Sequence, residues 1–140
     1  MLESLFRPAE VSASAMAAES ARVEIIAANI ANAYTTRTET GLPYRRKDVV
    51  FETLLLDDGA PPYAPGVVVS EIVEDSTPFQ RVYDPGHPDA DADGYVLLPN
   101  ISIPLEMTNL LTASRAYEAN ARVLRTFRQM VEQALQIARG

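Results

Sequence analysis

The chain has ten prolines, spread so unevenly that they dictate where a long helix can form. Most fall in the middle third, where a fixed φ and a missing N–H exclude one. From Ala9 to Ala33, with Pro8 just ahead, the composition is Ala, Glu, Arg, Met and Ile, which favours helix. Pro104 suits the first turn of a second helix running to the C-terminus, and Glu106 suits the positive end of its dipole. Helices at opposite ends of a chain can pair only if the middle folds back between them. The predicted fold is therefore α+β: long N- and C-terminal helices packed as a coiled-coil-like pair, with a small antiparallel β unit inserted between them.

The apolar pattern makes both helices adhesive. In the first, Met16, Val23 and Ile30 recur at sevens, with Ile26 and Ala33 three residues after the last two. A second stripe holds Val11, Ala15, Ala18 and Ile25, and Ala17, Ala18, Ala21, Ala27, Ala28 and Ala31 would let neighbours approach closely. In the last helix, Ala116, Asn120, Val123, Phe127, Met130, Ala134 and Ile137 form one seam, and Leu110, Ala113, Tyr117, Asn120, Leu124, Phe127 and Val131 another. Together these faces exceed what one partner helix covers. Isolated helices of this length are marginal in water, so the termini are expected to be loose in a free subunit and to order on assembly.

Between the helices, Thr35–Pro43 is typical of an extended segment and a turn. Short strands are expected at Arg46–Leu56, Gly66–Val73, Phe79–Tyr83 and Tyr95–Leu98, separated by Asp57–Pro62 and by the Asp- and Pro-rich Asp84–Gly94 loop. The expected units are an N-terminal axial helix at 1–36, a β-rich outer segment at 37–103 and a C-terminal axial helix at 104–140. The two helical stretches count as one domain.

Charge excludes some functions. The net charge is −7, and residues 57–93 hold nine acidic side chains against one basic. With no basic stripe, nucleic acid finds little to bind. Cysteine is absent, so no disulfide or thiolate metal site can form. Residues 1–8 lack the basic and apolar regions of a cleavable signal peptide, and no apolar run reaches the roughly 20 residues that span a bilayer. No direct membrane insertion is expected.

Four features carry possible chemistry. Asp89, Asp91, Asp93 and Gly94 match the first half of an EF-hand loop, but the twelfth position is Asn100 and the following residues read as strand, so an acidic solvated turn is the better reading. His87, flanked by Gly86 and Pro88, reads as an exposed loop residue with neither a nucleophile nor further metal ligands signalled. Arg45-Arg46-Lys47 is too short for a phosphate or membrane site and reads as a solvated strand edge or a partner for an acidic neighbour. Asn29, Asn32 and Asn120 are either a cap and surface amides or buried amides that fix helix register. Neither a catalytic pair nor a cofactor site is signalled.

Ala28-Asn-Ile-Ala-Asn-Ala-Tyr-Thr35 resembles the N-terminal signature of the bacterial flagellar axial proteins of rod, hook and hook-associated type. The stretches Gly41–Phe51, Gly66–Val73, Val82–Asp91, Gly94–Asn100, Glu106-Met107 and Ala113–Asn120 resemble the proximal-rod branch of that family, in the same order over nearly the whole chain. Ala28 departs from the pattern, since many axial proteins carry a further Asn there. The resemblance implies a non-enzymatic, cofactor-free subunit of the periplasmic rod, exported by the flagellar type III apparatus without a cleaved signal. It implies contacts with copies of itself, neighbouring rod proteins, the adaptor near the MS ring and the distal rod. The expected assembly interface is Met16, Val23, Ile26, Asn29, Ile30, Asn32, Leu110, Tyr117, Asn120, Val123, Leu124, Phe127, Met130 and Val131. The competing readings are a helical adaptor that does not polymerise, an enzyme and a calcium-binding β module.

Overall fold

The computed structural model describes residues 2–55 and 65–140. The predicted Asp57–Pro62 turn and the Leu56 end of the first strand lie outside the described residues. Helix α1 spans Leu2–Ala31, strands β1 and β2 span Lys47–Leu55 and Pro65–Glu74, β3 and β4 span Gln80–Tyr83 and Tyr95–Leu98, and helix α2 spans Ile103–Arg139.

Helix α1 starts earlier than its composition indicates, and Pro8 lies inside it rather than ahead of it. A proline this close to the N-terminus removes one intrahelical bond, and tertiary contact holds the turn before it. Phe6 meets Phe127 edge-on, ring centroids 5.8 Å apart. At the other end of the same helix, Asn29 bonds Glu106 in the first turn of α2. The two helices are therefore antiparallel, and these contacts lie about 30 Å apart at the helical rise per residue.

The middle is antiparallel β structure, as expected, and its four strands form two separate two-stranded sheets. Strand β1 pairs with β2 from Lys47↔Glu74 to Leu55↔Pro65, with a bulge between Val50 and Phe51. Strand β3 pairs with β4 from Gln80↔Leu98 to Tyr83↔Tyr95. A strap at residues 75–79 breaks the chain between the two ladders, and the Asp84–Gly94 turn joins the two strands of the second. The Val67 N–H donates to Ser14 Oγ at 3.1 Å, which docks β2 on α1. Helix α1 thus packs against α2 and also against the β1–β2 hairpin, as its apolar stripes require. Of the alanines expected to admit neighbours, Ala18 is buried, Ala21 and Ala28 are half-buried, and Ala17, Ala27 and Ala31 are exposed.

Candidate functional site

Among the described residues the most enclosed polar chemistry is a junction where the start of β1 meets the end of α1 and the first turn of α2. The Asn29 amide is fully buried and uses its whole hydrogen-bonding capacity. It donates to the Lys47 carbonyl at 2.7 Å and to Glu106 Oε2 at 3.0 Å. It accepts from the Lys47 N–H at 3.0 Å and from the Tyr44 hydroxyl at 3.3 Å. Asn29 therefore pairs with the Lys47 backbone as a neighbouring strand would.

Glu106 is the anionic centre of this junction. It is 0% exposed, and the Arg46 guanidinium donates Nε–H to its Oε1 at 2.8 Å. Glu106 lies in the first turn of α2, where the helix dipole favours an acid, and its carboxylate is in addition committed to the core, since Arg46 and Asn29 supply the partners a buried charge needs. Arg46 also reaches Asp48 at 3.0 Å and Asp75 at 3.5 Å. Burial alone would lower the Arg46 pKa, and the bond and charge of Glu106, with those of Asp48, reverse this and raise it. Tyr44 is raised by burial and by the charges of Glu74 and Glu106, so its hydroxyl stays a donor.

The rest of the basic run ties in the strap. Arg45 donates to the carbonyls of Asp75 and Thr77 at 2.8 and 3.0 Å and covers the Phe79 ring at 4.2 Å. Asn100 donates to the same two carbonyls, each at 3.1 Å, and accepts from the Arg46 N–H at 2.8 Å. The Thr77 hydroxyl and N–H both donate to Asp75 Oδ1, and these bonds are the main reason the Asp75 carboxyl lies below its ordinary range. Of the two sequence readings of Arg45-Arg46-Lys47, the ion-pair partner is correct for Arg46.

The three asparagines divide. Asn29 is the buried interhelical amide. Asn32 donates to the Ala28 carbonyl and accepts from the Thr35 hydroxyl, closing the end of α1 locally. Asn120 bonds the Ala116 carbonyl one turn back in its own helix. Only Asn29 crosses between the helices.

The apolar candidates divide by face. Ile26 is buried, and Met16, Val23 and Ile30 are half-buried on α1. On α2, Leu110, Leu124, Phe127 and Val131 are half-buried on the side facing α1, with Tyr117 at 39% exposure on its margin. Val123 and Met130 remain 48% and 60% exposed, as does Ile137 at 82%. These three recur at sevens along the outer face of α2. At the end remote from the junction, Phe6, Leu124, Phe127 and Val131 line an open groove of about 600 Å³ rimmed by Arg125, Arg128 and Glu132.

The acidic loop is built as a turn. Asp89 accepts from the Thr36 hydroxyl at 2.8 Å and pairs with Arg37 at 3.6 Å, which fastens the loop to the segment after α1. Asp91 accepts from the Tyr95 and Asp93 N–H groups and pairs with Arg81, and the Tyr95 bond is the leading cause of its lowered pKa. Gly94 has φ +82°, and a Cβ there would sit 3.0 Å from Tyr83 and 3.1 Å from Pro85. His87 is half-buried rather than exposed, because its Nδ1 folds back to accept the Asp89 N–H at 3.0 Å. Among the described residues no three His, Asp or Glu side chains come together as a metal site. No helix among them is long and apolar enough to cross a membrane.

Sequence reasoning offered Asn29 as one of three candidate buried amides and Arg46 as a candidate ion-pair partner, and missed Tyr44, Asn100 and the burial of Glu106. A usable signal was present: Glu106 is the only charged residue from Gly94 to Ser114, and a lone acid there needs a cation.

Comparison with known proteins gives a consistent result. Residues 10–37 match the family model described as flagella basal body rod protein, and residues 92–137 match that described as flagellar basal body rod FlgEFG protein C-terminal. The flagellar basal-body rod protein FlgC of Salmonella typhimurium is 43% identical over 127 residues, covering 90% of this chain and 92% of that protein. The protein of the same name in Bacillus subtilis is 38% identical, covering 96% and 98%. That of Borreliella burgdorferi is 37% identical, covering 97% and 99%.

Proposed function

The chain belongs to the flagellar basal-body rod protein family, and from that premise we propose that it is a structural subunit of the rod that polymerises through its terminal helices. The observation that carries this reading is the outer face of α2. Burying a Val, Met or Ile side chain is worth roughly 1.5–3 kcal/mol, and Val123, Met130 and Ile137 keep this gain unrealised within one chain. An adaptor that does not polymerise has no need of an uncovered apolar row on a helix already paired on its inner side. Repeated heterologous contacts of this kind build open helical filaments.

In this reading residues 1–36 and 104–140 form the axial unit and residues 37–103 pack outside it, where their acidic excess meets water. The subunit sits in the proximal, periplasmic part of the rod, next to other rod proteins and the adaptor near the MS ring. It arrives through the flagellar type III apparatus, and the assembled helices enclose the export channel and transmit torque. Electron microscopy of basal bodies from cells lacking this chain tests the reading. Loss of the rod supports it, and an intact rod refutes it.

A further inference from the structure

We infer that Glu106 is a positioning residue for assembly, which sets the register of the α1–α2 pair and makes that register conditional on the folding of residues 44–48. The inference rests on the rod reading, because the register of the pair decides which apolar residues a neighbouring subunit meets.

The apolar seams cannot set the register alone. Helix α1 presents a face rich in alanine, and α2 offers Leu110, Leu124 and Val131 at helical spacing, so a slip of one turn exchanges one half-buried contact for a similar one. The polar contacts have no such degeneracy. A one-turn slip moves Glu106 about 5.4 Å along the helix. It would leave the buried Glu106 carboxylate without Arg46 and Asn29, and the buried Asn29 amide without one of its two acceptors, shifting the register equilibrium by roughly a hundredfold or more.

The same carboxylate links helix pairing to the β segment. Glu106 binds α1 through Asn29 and the residue just before β1 through Arg46, across sequence separations of 77 and 60 residues. Asn29 in turn is seated by both backbone groups of Lys47. A chain in which β1 has not folded lacks the guanidinium that neutralises Glu106 and the peptide that orients Asn29. Conversely, Asp48 and Asp75 hold Arg46 on the β side without Glu106. Loss of the Glu106 charge should therefore free the helix register and leave the strap in place.

The native chain has no cysteine, so an introduced pair reports register cleanly. The purified full-length chain carrying Phe6→Cys with either Phe127→Cys or Val131→Cys is treated with a short thiol cross-linker, which captures register even in a pair that opens and closes. The 6–127 yield should exceed the 6–131 yield by roughly tenfold or more with Glu106 present. It should approach parity in Glu106→Gln with helicity retained by circular dichroism. The variant Asn29→Leu/Arg46→Met/Glu106→Leu, which leaves no buried charge, guards against a simple folding failure and should also approach parity. An unselective parent, an unchanged ratio in either variant, or loss of helicity in both overturns the inference. Swimming of cells with Glu106→Gln as their only copy separates the two readings. A collapsed ratio with normal swimming refutes the assembly role, whereas an unchanged ratio with lost swimming overturns the register lock and leaves the rod reading intact.

Discussion

Arg46 donates to Glu106 at 2.8 Å, and the acceptor is the more deeply buried of the two, at 0% side-chain exposure against 14%. The cation stands at the foot of a strand and the anion in the first turn of a helix, so this contact joins the two kinds of structure in the chain.

Removing one member of this pair should cost far more than removing its charge altogether. Arg46→Met alone leaves Glu106 buried and uncompensated, and should lower stability by about 3–5 kcal/mol. The double variant Arg46→Met/Glu106→Leu should recover a substantial part of that loss. Urea unfolding of the purified chains measures both, and equal losses would show that the ion pair is not the cause.

Asn29→Ala should cost about 2–3 kcal/mol, since it strips partners from the Lys47 backbone and from Glu106 while opening little volume. Asn120→Ala, whose amide bonds only its own helix, should stay within about 0.5 kcal/mol. The contrast is read from unfolding midpoints, and a comparable cost at both sites would contradict the division drawn between the two asparagines.

Aspartates at Val123 and Met130 should leave the fold of a single chain nearly unchanged, because these side chains point away from α1 and surface changes usually lie within about 0.5 kcal/mol. Incorporation into basal bodies should nevertheless be lost. Thermal melts paired with basal-body purification check this; a variant that assembles normally removes the outer face of α2 from the interface.

Alanine at Gly94 should destabilise the β3–β4 hairpin by about 1–2 kcal/mol, because the backbone is left-handed there and the new methyl group meets Tyr83 and Pro85. The Tyr83–Tyr95 contact, with ring centroids at 5.2 Å, should loosen with it. Tyrosine fluorescence and melting temperature report the change, and Gly41→Ala, with no atom within 4 Å of its new carbon, is the control for conformation alone.

The pH dependence has opposite signs at its two ends. Asp75 is lowered from 3.8 chiefly by the Thr77 hydroxyl, so its contribution is complete above that value and is lost as pH falls through the lower folded value. Tyr44 is raised from 10.0 chiefly by burial, so its contribution is complete below that value and is lost as pH rises through the higher folded value. Asp75→Asn should flatten the acid limb of a melting-temperature profile, and Tyr44→Phe should remove from the ultraviolet titration a phenol whose titration is delayed above 10.0. Unchanged profiles in both variants would contradict these assignments.

The parts of the fold that were legible in sequence are those governed by local rules. Proline placement separated helix from strand, and β4 at Tyr95–Leu98 has the predicted bounds. The start of α1 was misplaced because Phe6 packs on Phe127, a contact across 121 positions that no local pattern contains. The antiparallel β segment was legible too, but its division into two ladders was not, since that depends on how the strap between them is anchored. Arg45 and Asn100 provide that anchor from distant segments.

Sequence by itself determined that this chain has two adhesive helices around an acidic β-rich middle, because helical periodicity, proline and charge each act over a few neighbouring residues. Only the tertiary structure decided which apolar seam is used inside the chain and which stays exposed, since both have the same spacing. It also decided that Glu106, Arg46 and Asn29 meet. Their pairing depends on the cost of burying unpartnered polar groups, and that cost exists only once the helices and β1 have closed around them.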